Sequence, residues 1–233
     1  MHVLIVEDDL AFARMVERLV QAEGDTAEVV HSGEAALAAM RRTRYDMVLL
    51  DWELPGRNGL SVVRTLRAEG YTTPVLIVTS HVDERKVVAA LEAGADDYLV
   101  KPLSPVVLQA RRRAVIGRAE GPAPSPASAA FRVGTLTLDP TTRRVFGPGG
   151  TAPLTAKESA LLSCLMREPG SVVPRHRLLE QVWGYAFDPG TSVLEVTLSR
   201  LRRTLEPVAS GVTIRTVRGL GVVLEDAPAA PRE

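Results

Sequence analysis

Three wholly apolar runs of strand length, Val3-Leu4-Ile5-Val6, Met47-Val48-Leu49-Leu50 and Val75-Leu76-Ile77-Val78, each stop at a polar side chain. A strand that is apolar on both faces must be covered on both, which is the condition of a parallel sheet wrapped by helices. Ala27–His31 reads as an edge strand and Tyr98–Val100 as a fifth strand. Between and after them, Leu10–Glu23, Gly33–Arg42, Gly59–Ala68, Asp83–Ala93 and Ser104–Gly117 carry helical spacing, with Phe12, Met15, Val16, Leu19 and Val20 along one face of the first. The expected fold class over 1–117 is therefore α/β, a doubly wound five-stranded parallel sheet. Such a sheet brings the polar strand ends into one crevice, where its ligand chemistry belongs. Glu7, Asp8 and Asp9 follow the first strand, Asp51 the third, Thr79 ends the fourth, and Lys101-Pro102 follows the fifth.

At 233 residues the chain has room for a second domain. Residues 118–130 are rich in Pro, Gly, Ala and Ser without apolar periodicity and are expected to be a linker, partly extended where the prolines alternate. Beyond it, over 131–227, Phe131–Leu138 and Arg143–Phe146 alternate like short antiparallel strands around Asp139-Pro140-Thr141-Thr142. Helix patterns follow at Ala156–Arg167, opened by the capping-box pattern Thr155-Ala156-Lys157-Glu158, at Arg175–Val182 and at Ser192–Leu205. A hairpin of Val212–Val217 and Val222–Leu224 closes the domain. The net charge of zero hides an asymmetry: residues 1–130 carry 15 basic and 18 acidic side chains, residues 131–233 carry 13 and 10. The second half is thus the one suited to a polyanion.

No apolar run approaches the roughly 20 residues that span a bilayer, so no membrane partner is expected. The start lacks a basic leader, and a cytoplasmic protein is expected. Cys164 lies in an apolar stretch and reads as a buried inert thiol.

Carboxylates at adjacent strand ends repel one another unless a hard cation is bound, and oxygen donors suit Mg²⁺. Such a cation, the Lys101 ammonium and the Thr79 hydroxyl would neutralise a phosphoryl group in transfer, with Asp51 the acceptor. At these residues the chain resembles the receiver domain (flavodoxin/CheY-like) of two-component response regulators over residues 2–117. Glu7-Asp8 resembles the acidic pair, Leu49-Leu50-Asp51-Trp52-Glu53-Leu54-Pro55-Gly56 with Gly59 the phosphoacceptor strand and loop, and Thr79-Ser80 the switch hydroxyl and its small neighbour. Gly94-Ala95-Asp96-Asp97-Tyr98 with Lys101-Pro102 resembles the aromatic switch, the lysine and a usually cis proline. The resemblance implies that a sensor histidine kinase phosphorylates Asp51, that Glu7, Asp8, Asp51 and the backbone carbonyl of Glu53 hold Mg²⁺, and that Thr79 and Lys101 touch the phosphoryl group. Tyr98 would swing inward as Thr79 moves, beside Pro102. Glu53 departs from the usual pattern two residues past the acceptor, and with His81 is expected to tune phosphoryl lifetime.

In Ser192–Leu205, Val193, Leu194, Leu198, Leu201 and Leu205 form an apolar side, leaving Thr197, Ser199, Arg200, Arg202, Arg203 and Thr204 for a major groove. Arg215, Thr216 and Arg218 on the hairpin are expected at the adjoining minor groove. Leu178–Gly184, Val196–Arg203 and Ile214–Gly221 together resemble the α+β winged helix-turn-helix effector domain of the OmpR/PhoB class over residues 131–225. Ser192, Thr197 and Val222 stand where that class carries arginine, histidine and an aromatic. The resemblance implies a double-stranded DNA operator and a homodimer on phosphorylation, using Asp97, Arg111, Ala89 and Val107. RNA polymerase would meet the loop near Trp183 and Tyr185, unless Trp183 packs in the core. The expected function is phosphorylation-controlled transcription regulation, with no enzyme activity beyond the receiver's own phosphoryl transfer and dephosphorylation. Two alternatives remain: an orphan regulator that binds DNA without phosphorylation, and an aspartyl-phosphate phosphatase, for which Asp51-Trp52-Glu53 lacks the second aspartate.

Overall fold

The computed structural model describes residues 1–80, 84–116, 130–185, 192–209 and 211–226. The chain divides into two compact units, Met1–Ile116 and Gly117–Glu233. In the first, β1 (His2–Val6), α1 (Leu10–Gln21), β2 (Thr26–Val30), α2 (Gly33–Arg42), β3 (Met47–Asp51), α3 (Gly59–Ala68), β4 (Val75–Thr79), α4 (Glu84–Ala93), β5 (Asp97–Val100) and α5 (Pro105–Ile116) alternate. The five strands are parallel in the order β2-β1-β3-β4-β5. Among the described residues no helix is long and apolar enough to cross a membrane.

Strand periodicity sorts the apolar runs into two cores. Leu4, Val6, Val48, Leu50, Val75 and Ile77 pack with Met40, Val62, Leu66 and Ala90 from α2, α3 and α4. Their neighbours Val3, Ile5, Met47, Leu49, Leu76 and Val78 pack on the other face with Val16, Val20 and Leu108 from α1 and α5. Each large aliphatic side chain so buried contributes about 1.5–3 kcal/mol, which is why these runs tolerate no polar residue before their last position. Side-chain caps start the helices after the strands: Asp9 for α1, Ser32 for α2 and Asn58 for α3. The chain leaves β1 for β2 and then returns past β1 to β3, so a crevice opens at the carboxyl ends of β1 and β3. Gly59 keeps α3 close to that crevice, because a Cβ there would lie 2.3 Å from the carbonyl oxygen of Asp51.

The second unit opens with an antiparallel sheet of β6 (Phe131–Val133), β7 (Leu136–Asp139), β8 (Arg144–Gly147) and β9 (Gly150–Pro153), in that order. It continues through α6 (Ala156–Arg167), β10 (Val173–Pro174), α7 (Arg175–Trp183), α8 (Val193–Leu205), β11 (Val212–Val217) and β12 (Gly221–Asp226). This is a winged helix, its last three strands ordered β10-β12-β11. Phe131–Leu138, read from its alternation as one strand, is instead a hairpin: Gly134 adopts φ 54° and folds Val133 opposite Leu136. Strands β9 and β10 escaped the sequence reading because one has no apolar alternation and the other only two residues. The capping box is present, with Thr155 N–H donating to Glu158 Oε2 at 2.8 Å and Glu158 N–H to Thr155 Oγ1 at 3.4 Å.

Candidate functional site

Neighbouring strand ends bring the acidic residues together. Val6 pairs with Leu50 in register, so Glu7 and Asp8 leave β1 beside Asp51 at the end of β3. Glu7, Asp8 and Asp51 offer carboxylate oxygens that all lie within 4.8 Å of one another. Lys101 follows β5, two strands from β3, about 10 Å away at sheet spacing, and its side chain is long enough to return. Its Nζ donates to Glu7 Oε2 at 2.8 Å, Glu7 Oε1 at 3.0 Å and Asp51 Oδ2 at 2.9 Å, and lies 4.2 Å from the Phe12 ring centroid. Glu7 and Asp51 are buried, whereas Asp8 is exposed at the crevice mouth. Asp9 belongs elsewhere: its carboxylate caps α1, accepting from Ala11 N–H at 2.8 Å and Phe12 N–H at 3.0 Å. Those backbone bonds hold its carboxyl below the usual range.

The charges explain one another. Burial pushes the Glu7 carboxyl up to about 7, the Lys101 hydrogen bond opposes this, and the Asp51 charge adds to it. Burial pulls the Lys101 ammonium down, but its bonds to Glu7 and Asp51 outweigh that and raise it above its ordinary value. Two enclosed carboxylates and a third at the mouth form an all-oxygen donor set, and the one Lys101 ammonium beside them leaves negative charge in excess. That set fits a hard divalent cation such as Mg²⁺ rather than a soft one. Glu53 lies just past Asp51, its N–H donating to Asp51 Oδ1 at 3.3 Å and its carboxylate facing Lys86 of α4 at 3.6 Å. The Lys86 partner carried no local sequence signal. His81, expected beside Glu53, lies outside the described residues.

Thr79 is buried at the end of β4, opposite Val100, and its carbonyl accepts from Lys101 N–H at 2.7 Å. Tyr98 is half-buried and packs against the α2–α4 core. The Lys101–Pro102 peptide bond is cis. Asp97 and Arg111 meet within this chain at 3.4 Å, with the Asp97 side chain fully enclosed. Ala89 is half-buried on α4 and Val107 is exposed on α5.

In the second unit, α8 presents less than its sequence promised. Thr197 was expected to face outward, but it is buried and donates its hydroxyl to Val193 O at 2.7 Å, because Val196 and Thr197 both fall on the packed side. Arg200 turns inward to Glu158, Nη2 to Oε1 at 3.3 Å, with both side chains largely enclosed. Arg202 reaches the hairpin, and Arg215 forms a bidentate pair with Glu225 on the adjoining strand. Ser199, Arg203, Thr216 and Arg218 remain exposed. Trp183 and Tyr185 are buried in the core, where the Trp183 ring faces the Lys157 ammonium at 5.5 Å.

Residues 3–113 match the model of the response regulator receiver domain, and residues 149–224 that of the C-terminal domain of transcriptional regulatory proteins. The response regulator MprA of Mycobacterium tuberculosis (strain ATCC 25618 / H37Rv) is 40% identical over 227 residues, which are 97% of this chain and 98% of that protein. MprA of Mycobacterium avium (strain 104) is 40% identical over 228 residues, 98% and 100% of the two chains. The solved structure of a mutant of RitR superposes with a TM-score of 0.75 at 25% identity, covering 97% and 99% of the chains. The response regulator DrrB, a Thermotoga maritima OmpR/PhoB homolog, gives a TM-score of 0.51 at 28% identity over 96% and 98%.

Proposed function

This chain belongs to the response regulators of the OmpR/PhoB class, and from that premise we propose that Asp51 is the residue through which a sensor histidine kinase controls DNA binding. The class makes it a phosphorylation-controlled transcription regulator with a DNA-binding output. The observation that carries the assignment is the position of Asp51, enclosed between the Lys101 ammonium and the Glu7–Asp8 pair at the sheet's crevice. In the transfer, a bond forms between an Asp51 carboxylate oxygen and phosphorus as the bond from phosphorus to the kinase's imidazole nitrogen breaks, and the imidazole, already protonated on its other ring nitrogen, takes the bond's electron pair and leaves neutral.

Glu7, Asp8, Asp51 and the backbone carbonyl of Glu53 would hold Mg²⁺, which when bound supplies positive charge to the phosphoryl oxygens. Lys101 keeps an ammonium beside Asp51 throughout, and its hydrogen bonds fix the acceptor's orientation. Thr79, whose hydroxyl sits at the neighbouring strand end, meets the new phosphoryl oxygens. The phosphoryl group adds about −1.5 to −2 charges; Thr79 and Tyr98 carry that change to the α4–α5 face. There Ala89 and Val107 supply apolar contact, and Asp97 and Arg111, which pair within this chain, would have to trade partners for the pair to form between two copies. Residues 1–117 form the phosphoacceptor domain, 118–130 the linker and 131–227 the effector. On the effector, Ser199 and Arg203 face the major groove and Arg215, Thr216 and Arg218 the minor groove.

Intact-mass spectrometry after incubation with acetyl phosphate and Mg²⁺ tests the assignment. One added phosphoryl group in the wild type, absent from Asp51→Ala, is the expected result. An adduct that survives the substitution would place the acceptor elsewhere.

A further inference from the structure

Two arginines two residues apart on α8 turn in opposite directions. Arg200 reaches back to Glu158 of α6, the residue that completes the capping box with Thr155. Arg202 reaches forward to β11: its Nε donates to the carbonyl oxygen of Ile214 at 2.9 Å and its Nη2 to Thr216 Oγ1 at 2.7 Å. Strand β11 is the edge of the sheet β10-β12-β11, and an edge strand leaves alternate main-chain groups without a ladder partner. Arg202 gives one of them a donor. The planar guanidinium fork does this at two points on the same strand, two residues apart, which fixes position along the strand as well as distance from it. A lysine ammonium, a single point charge, would fix only the distance.

The turn that follows carries the exposed Arg218, with Gly219 at φ 74° and Leu220 N–H donating to Val217 O at 3.0 Å. Any shift of β11 relative to α8 therefore moves Arg218 relative to Ser199 and Arg203. These are the side chains assigned to two different grooves of one duplex, and grooves have a fixed separation.

We infer that Arg202 is a positioning residue that bolts the hairpin to the recognition helix and so sets the distance between their two sets of DNA contacts. The inference rests on the DNA-binding reading of this domain. It gives Thr216 a second part, as the acceptor that holds Arg202. By holding the hairpin in place before DNA arrives, the bolt lowers the ordering cost of binding.

The test uses the full-length chain and a duplex enriched by the wild type from a random-sequence library. Thr216→Val removes only the acceptor hydroxyl from an exposed position, and Thr216→Ser retains it; Arg202→Lys retains charge without the fork. In the DNA-free protein, amide hydrogen exchange over 212–217 should quicken in Thr216→Val and Arg202→Lys and stay at the wild-type rate in Thr216→Ser. Affinity for the duplex should fall about three- to tenfold in Thr216→Val with the salt dependence unchanged. The same substitution should cost much less in an Arg218→Ala background, because both act through the hairpin. Weaker binding with unaltered exchange in the free protein, or losses that simply add to that of Arg218→Ala, would make these residues direct DNA contacts and overturn the role. If the wild type enriches no duplex, the DNA-binding reading fails as well, and that result is separate from the exchange measurement.

Discussion

The buried Glu7 carboxyl gives the protein an expected pH dependence. Burial raises its folded-state pKa from 4.5 to about 7, so the folded protein binds a proton there that the unfolded chain has already lost. Stability from this group is fully present below about 4.5 and is lost as pH rises through about 7. The carboxyls held below their ordinary values, Asp25, Glu28 and Glu69 among them, act in the opposite sense and only at lower pH. Thermal melting of the protein without Mg²⁺ should therefore show a decline between about pH 5 and 7.5. Added Mg²⁺, which needs the ionised carboxylate, should reverse it, and Glu7→Gln should flatten the profile. A Glu7→Gln profile as steep as the wild type's would assign the slope to another group. Lys101 gives a second expectation. Lys101→Met leaves Glu7 and Asp51 facing each other without a counter-charge, and denaturant unfolding should register a loss on the order of 2 kcal/mol, less than for a fully enclosed pair because Lys101 keeps some access to water. Of the three acids after β1, nothing local in the sequence separates Asp8, at the crevice mouth, from Asp9, which caps a helix. Only the direction in which the chain turns separates them.

At the scale of elements, capping and close approach decide where the functional groups stand. Thr155→Ala should cost about 1 kcal/mol in denaturant unfolding, as loss of a helix cap does. It should also loosen Glu158, whose other oxygen meets Arg200 of the recognition helix. Gly59→Ala should be worse than its one methyl group suggests. The added carbon would meet the Asp51 carbonyl oxygen at 2.3 Å, so α3 must withdraw from β3; about 1–3 kcal/mol of stability should go, and phosphorylation by acetyl phosphate should slow with it. An unchanged phosphorylation rate in a folded Gly59→Ala protein would show that the acceptor loop moves independently of α3. The strands and helices that carry these groups were legible because their signals are local: period two, period 3.6, and a cap four residues long. The hairpin at Gly134 and the two-residue β10 were not, because their pairing partners, rather than their own side-chain patterns, make them strands.

For the whole molecule, phosphorylation should raise both self-association and DNA affinity. Sedimentation with beryllofluoride and Mg²⁺ should show a dimer for the wild type and a monomer for Asp51→Ala. Gel shifts on an enriched duplex should follow the same division, since two linked effector heads bind at a raised effective concentration. Equal shifts by both proteins would favour the phosphorylation-independent alternative. The amino-acid order alone determined the parallel sheet, the crevice and the candidate acceptor, because apolar periodicity and strand-end polarity are written along the chain and the sheet's topology does the gathering. The partners of the long cationic side chains were decided only in three dimensions. Lys101 bridges Glu7 and Asp51 across an intervening strand, Arg200 turns to Glu158, and Arg202 turns to Thr216. A lysine or arginine can reach acceptors in almost any direction from its Cα, so sequence spacing cannot choose among them; packing of the neighbouring elements leaves one within hydrogen-bond distance, and that choice separates a DNA contact from a structural bolt.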